Sequence, residues 1–401
     1  MRMFHFGGKS DETTYGVLID VSSGSVGVGI VSSVLGEKLP HIIYAHRNVM
    51  RITKHGAEKS EHVRRIREAL LSATLLLSQD GVQALLEHNK HARISKLYVT
   101  CSAPWAYTIA RDVYYENDEP FKVTSAIVND LIESAESQIL TELEHAPLVT
   151  ENGFSIVERA TVDITVNDYP VHDPLKLKGR TLGLSHIVGL IPEDIFSSIT
   201  EVQEKLFPHT ELRAHTYMLI MYCVLRDIFY RVHSLCIVDV TGEATEIAIV
   251  EHNVLVENLS IPTGSNTFIR DVMEKTGKPA TDIQSCMAHD ADAALDTTVL
   301  HENKSTYEEE VKNTLLEILE RRTLPKDIIV TVHNHKLYGQ FFTPIVESAY
   351  ASVIGKKPHI LKLKDAIMDE VIGNSAADEY LALSARFFHK LHGCGELEKD
   401  K

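Results

Sequence analysis

Apolar positions along this chain follow two rhythms, and the switches between them mark out its elements. Short runs rich in β-branched residues predict strands at residues 14–31, 94–101, 154–166, 181–190, 235–250 and 327–332. Helical spacing appears at residues 61–78, where Val63, Ile66, Leu70, Leu71 and Leu77 stand among charges. It recurs at residues 124–140, with Thr124 as N-cap and Ile127, Leu131 and Ile132 facing inward. One long helix is predicted over residues 212–232. A helical lobe follows over residues 281–322, with Val311, Leu315, Ile318 and Leu319 on one face. A closing helix spans residues 376–391, its Leu383, Phe387, Phe388 and Leu391 expected to pack on a second lobe.

Two of the strand runs share one plan: a strand ending in aspartate, a turn of small residues, then a second strand. In the first, Asp20 and Val21 lead into Ser22, Ser23, Gly24 and Ser25; in the second, Asp239 and Val240 lead into Thr241, Gly242, Glu243, Ala244 and Thr245. Amides and hydroxyls of such turns can cradle phosphate oxygens. The aspartates could hold a hydrated magnesium or orient a water. Either hairpin alone is an ordinary buried turn. The ordered pair predicts two lobes that face each other across a cleft.

At 401 residues the chain exceeds one ordinary core, which also favours two or more lobes. Its net charge of −16 argues against nonspecific nucleic-acid binding. No uninterrupted apolar run is long enough to span a bilayer, and residues 1–12 lack the apolar core of a signal peptide. The expectation is a cytoplasmic protein, without direct membrane insertion, that meets the membrane through a partner. The cysteines (Cys101, Cys223, Cys236, Cys286 and Cys394) are scattered and form no Cys-x-x-Cys pair, which supports neither disulfides nor zinc; Cys223 and Cys236 read as core residues. The lone Trp105 reads as packing at a lobe junction.

The paired hairpins resemble those of the actin-like ATPase superfamily. The stretch Asn167, Tyr169, Pro170, Val171 and Pro174 is similar to a turn in the FtsA and PilM branch, which inserts a small subdomain early in the first lobe. The resemblance implies two actin-like (ribonuclease H-like) α/β lobes around a nucleotide cleft. It divides the chain into a leader at 1–13, a first lobe at 14–95 and 191–233, and an inserted subdomain at 96–190. The second lobe takes 234–267 and 324–392, a small helical subdomain 268–323, and a polar tail 393–401. It implies ATP and magnesium as ligands. Asp20 would support the metal through water, and Ser22, Ser23, Gly24 and Ser25 would hold the outer phosphates. Asp239 would orient the attacking water, with Thr241, Gly242, Glu243 and Thr245 closing from the second lobe. Gly264, Ser265 and Asn334 would lie near sugar and base.

The chain departs from that pattern where adenosine would sit. Thr331-Val332-His333-Asn334-His335 replaces the family's glycine run, and residues 282–287 lack the expected ribose-contacting lysine. Two readings stay open: altered nucleotide binding, or a pseudo-ATPase that uses the fold as a scaffold. The main functional expectation is an actin-like cytoskeletal or scaffold protein of the bacterial inner-membrane face. It would bind ATP and self-associate, or hold a membrane protein's cytoplasmic tail or a division protein, in pilus assembly or division. Any hydrolysis would be slow, since no strong general base is visible. The alternatives are a nucleotide-free adaptor and a sugar-kinase-like phosphotransferase. His333-Asn334-His335 reads as a polar loop, and Asp290, Asp292 and Asp296 fail the calcium-loop pattern.

Overall fold

The computed structural model describes residues 13–52, 59–144, 153–289, 297–333, 335–363, 367, 372–373 and 377–393. The leader to residue 12, the tail from 394, Cys394, the Asp290–Asp296 stretch and Asn334 lie outside them. The first hairpin pairs β1 (Thr13–Val21) with β2 (Ser25–Val34), and β3 (His41–Val49) continues it antiparallel. On its other side β1 runs parallel to β4 (Ile94–Cys101), and β4 runs parallel to β9 (Glu211–Thr216). With β15 (Ile372–Gly373) this makes a six-stranded sheet ordered β15-β3-β2-β1-β4-β9.

The second hairpin repeats the arrangement. β10 (Leu235–Val240) and β11 (Thr245–Glu251) pair antiparallel, β12 (Val254–Ile261) adds to β11, and β13 (Asp327–Val332) runs parallel to β10. With β14 (His359–Ile360) the five-stranded order is β12-β11-β10-β13-β14. The repeat read from two turns therefore extends to four strands in each sheet. Between β4 and β9 the chain builds a separate antiparallel sheet, β5-β8-β6-β7, from β5 (Tyr107–Lys122), β6 (Phe154–Val166), β7 (Tyr169–Pro170) and β8 (Lys178–Pro192). Helix α3 (Ser125–Glu144) covers it through Leu131 and Ala135, and Thr124 caps that helix by accepting from Ile127 N at 3.4 Å.

Period-2 alternation sorts each central strand's side chains between two layers. From β1, Val17, Ile19 and Val21 face α1 (Lys59–Leu76), α2 (Val82–His88) and α4 (Glu193–Leu206). From β10, Cys236, Val238 and Val240 face α6 (Ser265–Thr276), α7 (Ala280–His289), α8 (Thr297–Leu319) and α9 (His335–Ile354). The opposite faces, with Leu18 and Ile237, share one core with α5 (Tyr217–Ile228) and α10 (Glu379–His392). Two helices thus lie between the sheets and belong to both lobes. The helical stretch over residues 61–88 meets the length and composition of a membrane span; its Ile66, Leu70, Ala73 and Leu77 are buried in the core beside the first sheet.

Two expectations are corrected. Residues 212–232 are not one helix: their first part is β9, recruited by parallel pairing with β4, and the helix begins only at Tyr217. Pairing partners distant in sequence here override local helical spacing. The closing helix does not pack on the second lobe alone. It lies against β1, β2 and α5, and Phe388 fills the place a side chain at Gly16 would need. Phe388 is fully buried and meets Tyr98 edge-on at 5.1 Å. Phe388→Ala should lower the unfolding free energy by about 3–5 kcal/mol, measured by urea denaturation.

Candidate functional site

Alternation also aims the two aspartates. Asp20 shares a face with Leu18, and Asp239 with Ile237, so both point into the layer of α5 and α10. Both are fully buried. Asp20 Oδ2 accepts from Arg47 Nη2 at 2.8 Å and Oδ1 from Thr100 Oγ1 at 3.2 Å. Arg47, on β3, also donates from Nη1 to Ser25 Oγ at 2.9 Å, from Nη2 to Asp378 Oδ1 at 3.1 Å and from Nε to Asp378 Oδ2. Burial pushes the Asp20 carboxyl upward and the guanidinium opposes it. Burial disfavours the Arg47 charge, but Asp378 and Asp20 outweigh it and hold the guanidinium protonated.

Among the described residues no cation pairs with Asp239. Its Oδ1 accepts from Thr331 Oγ1 at 2.5 Å and from Tyr380 OH at 2.9 Å, while Oδ2 finds no hydrogen-bond partner among the described residues. Burial pushes this carboxyl up to about 8. Glu246, opposite it on β11, is pushed up to about 7 by the same cause. Tyr380 joins the two centres, because the Arg47 guanidinium lies 5.6 Å from its ring centroid while its hydroxyl holds Asp239. His333 packs on the same ring at 3.6 Å and is buried, so this one residue of the expected polar loop is a packed aromatic contact, and burial pushes its imidazole well down.

The turns themselves touch. Ser23 Oγ donates to Thr241 Oγ1 at 3.0 Å, and Glu243 N donates to Ser23 Oγ at 2.9 Å. Thr241 Oγ1 also reaches Ala103 O at 3.0 Å, tying in the loop before Trp105. A Cβ on Gly242 would stand 2.9 Å from Gly24 N, so the two glycines permit backbone-to-backbone approach. Gly264 serves the same packing, since a Cβ there would meet Thr241 O at 2.5 Å. Ser265 N and Asn266 N donate to Thr241 O and Gly242 O at 2.9 and 2.7 Å, so the first turn of α6 is satisfied by the hairpin. Glu243 forms a forked pair with Arg270, and Thr245 Oγ1 bonds Thr263 O and Tyr307 OH, each at 2.8 Å. Ser22 is buried, with its Oγ unpartnered among the described residues.

The fold therefore gathers Asp20, Ser22, Ser23, Gly24, Ser25, Asp239, Thr241, Gly242, Glu243, Thr245, Gly264 and Ser265 at one lobe junction. As the described residues stand, these turns do not fit a magnesium triphosphate. One cavity beside the turns, lined by Ser23, His62, Trp105, Glu243 and Asn266 among other described residues, measures about 10 Å³, room for one water. Asp20 is met by a guanidinium where a hydrated metal would need open oxygens. Among the described residues no three His, Cys, Asp or Glu side chains gather to hold a metal. Sequence reasoning missed Arg47, Asp378 and Tyr380, whose roles depend on strand register and on a helix far along the chain.

Two α/β lobes with repeated strand order, closed on a pair of aspartate hairpins, define the actin-like ATPase fold, and this chain has it. Its structure is similar to that of PilM in the PilM–PilN type IV pilus biogenesis complex: TM-score 0.55 at 11% identity, over 94% of this chain and 98% of that one. Likenesses at a TM-score of 0.42 reach a Bacteroides thetaiotaomicron protein of unknown function with an actin-like ATPase fold (11% identity, 96% and 99% coverage) and the ethanolamine utilization protein EutJ from Carboxydothermus hydrogenoformans (10%, 93% and 89%). Scores that low add nothing to the assignment. No family model and no curated protein matches the sequence.

Asp239 and Glu246 set a pH dependence. Each is ionised in the unfolded chain above about pH 4 yet resists ionisation when folded. Stability should fall as pH rises from about 4 towards the raised values, and the loss should be complete above them. Asp239→Asn should flatten that slope and gain at least about 2 kcal/mol at pH 9 relative to wild type, read from urea midpoints at pH 5, 7 and 9.

Proposed function

We propose that this chain is a nucleotide-free adaptor of the actin-like fold, a scaffold that works through protein partners. The observation that carries this reading is the direct contact of the two hairpin turns that the sequence resemblance assigns to the phosphates, Ser23 on Thr241 and Gly24 against Gly242. The likeness to PilM supports a partner of the kind named there, and we extend it to this chain as the cytoplasmic segment of an inner-membrane protein. The proposed setting is the inner-membrane face, in pilus assembly or cell division. Membrane contact is made through the partner.

Calorimetric titration of the full chain with magnesium ATP, beside Asp239→Ala, tests this. The expected result is no heat of binding for either protein at millimolar ATP. Micromolar binding by the wild type, lost in Asp239→Ala, overturns the adaptor reading and makes nucleotide-controlled assembly the function to pursue.

A further inference from the structure

Asp20, Gly27 and Arg47 stand in one row across three strands: Asp20 pairs with Gly27 between β1 and β2, and Gly27 pairs with Arg47 between β2 and β3. Side chains at paired positions project from the same face. Arg47 must therefore pass over the middle strand to reach Asp20. A Cβ on Gly27 would lie 2.6 Å from Arg47 Nη2 and 2.9 Å from its Cζ, so a side chain there would push the guanidinium out of its present place. The glycine has φ in the ordinary strand range, and its value here is space alone.

The guanidinium's other contacts are equally committed. Nη1 holds Ser25 Oγ at 2.9 Å, at the exit of the first turn. Nε and Nη2 fork onto Asp378, the N-cap of α10, whose Oδ1 also accepts from Leu381 N at 3.0 Å. Two residues beyond that cap stands Tyr380, which holds Asp239. One cation thus joins the first aspartate, the first turn and the helix that reaches the second aspartate. Its side chain is only 14% exposed.

We propose that Arg47 is a tethered cation that takes the role of a bound metal at Asp20, so that the closed arrangement of the lobes is set by the chain itself. This rests on the adaptor reading of the same junction. A diffusible ion can leave and let the lobes part; a guanidinium carried on β3 and admitted by Gly27 cannot. The chemistry also predicts what would replace it. Removing the side chain leaves two carboxylates and a serine hydroxyl around a gap, a set suited to a small cation or to free guanidinium.

Thermal unfolding of the full chain, without nucleotide, tests the proposal. Wild type should show the same midpoint in metal-free buffer and with millimolar manganese or guanidinium. Arg47→Ala should unfold several degrees lower and regain at least half of that loss with either cation. Arg47→Ala combined with Asp20→Asn should regain nothing. The proposal is overturned if Arg47→Ala melts with wild type, if neither cation restores it, if restoration survives loss of Asp20, or if manganese raises the wild-type midpoint. Should Arg47→Ala fail to fold, Gly27→Ala keeps every charge and only crowds the guanidinium; a wild-type midpoint for that variant also overturns the proposal. None of these outcomes depends on ATP, so failure here leaves the titration result standing.

Discussion

The constraint that organises this molecule is the desolvation of two carboxyl groups, one at the end of each sheet's central strand. A buried carboxylate is tolerated when it is paired or neutralised. The two are handled differently. Asp20 receives a guanidinium and remains part of an ion pair. Asp239 receives only hydroxyls and is held towards its neutral form. The contacts between the sheets serve these two sites: β3 delivers Arg47, α10 delivers Asp378 and Tyr380, and the glycines of the turns let the two hairpins meet.

That asymmetry changes what the fold can do. Preorganised donors around open carboxylates suit a phosphate chain and its metal, whereas a carboxylate already paired with a guanidinium, as Asp20 is, leaves little for a ligand to gain. Here the same scaffold spends those groups on its own cohesion. The Glu243 pair with Arg270 and the donation from the first turn of α6 to the hairpin carbonyls point the same way. Among the described residues, Asp20, Ser23, Ser25, Thr241, Glu243 and Thr245, which the family resemblance assigns to a nucleotide, have partners within the chain.

Much of the fold was legible because its signals are local. Aspartate at a strand end followed by Ser-Ser-Gly or Thr-Gly is a short pattern, and both hairpins formed where it occurs. Thr124 announced its helix by the same kind of local chemistry. The failures were non-local. Residues 212–216 carry no strand signal strong enough to stand against the helix that follows them, and only β4 makes them a strand. Arg47 lies 27 positions from Asp20 and 331 from Asp378, so nothing near it in sequence names its partners. His333 read as a polar loop because its neighbours are polar; the ring of Tyr380 decides otherwise.

The place of α10 in the chain has a consequence for how the molecule comes together. Both hairpins precede it, one by more than three hundred residues, yet Arg47 lacks its second carboxylate and Asp239 its tyrosine until Asp378 and Tyr380 arrive. During synthesis each lobe can pair its strands early, but the seam between them waits for a late helix. Contacts of such separation slow the final step of folding. Until then the lobes would expose the apolar faces that α5 and α10 later share. A nascent chain of this protein therefore passes through a long interval in which its two halves are built and its centre is open, the stage at which chaperones have most to hold.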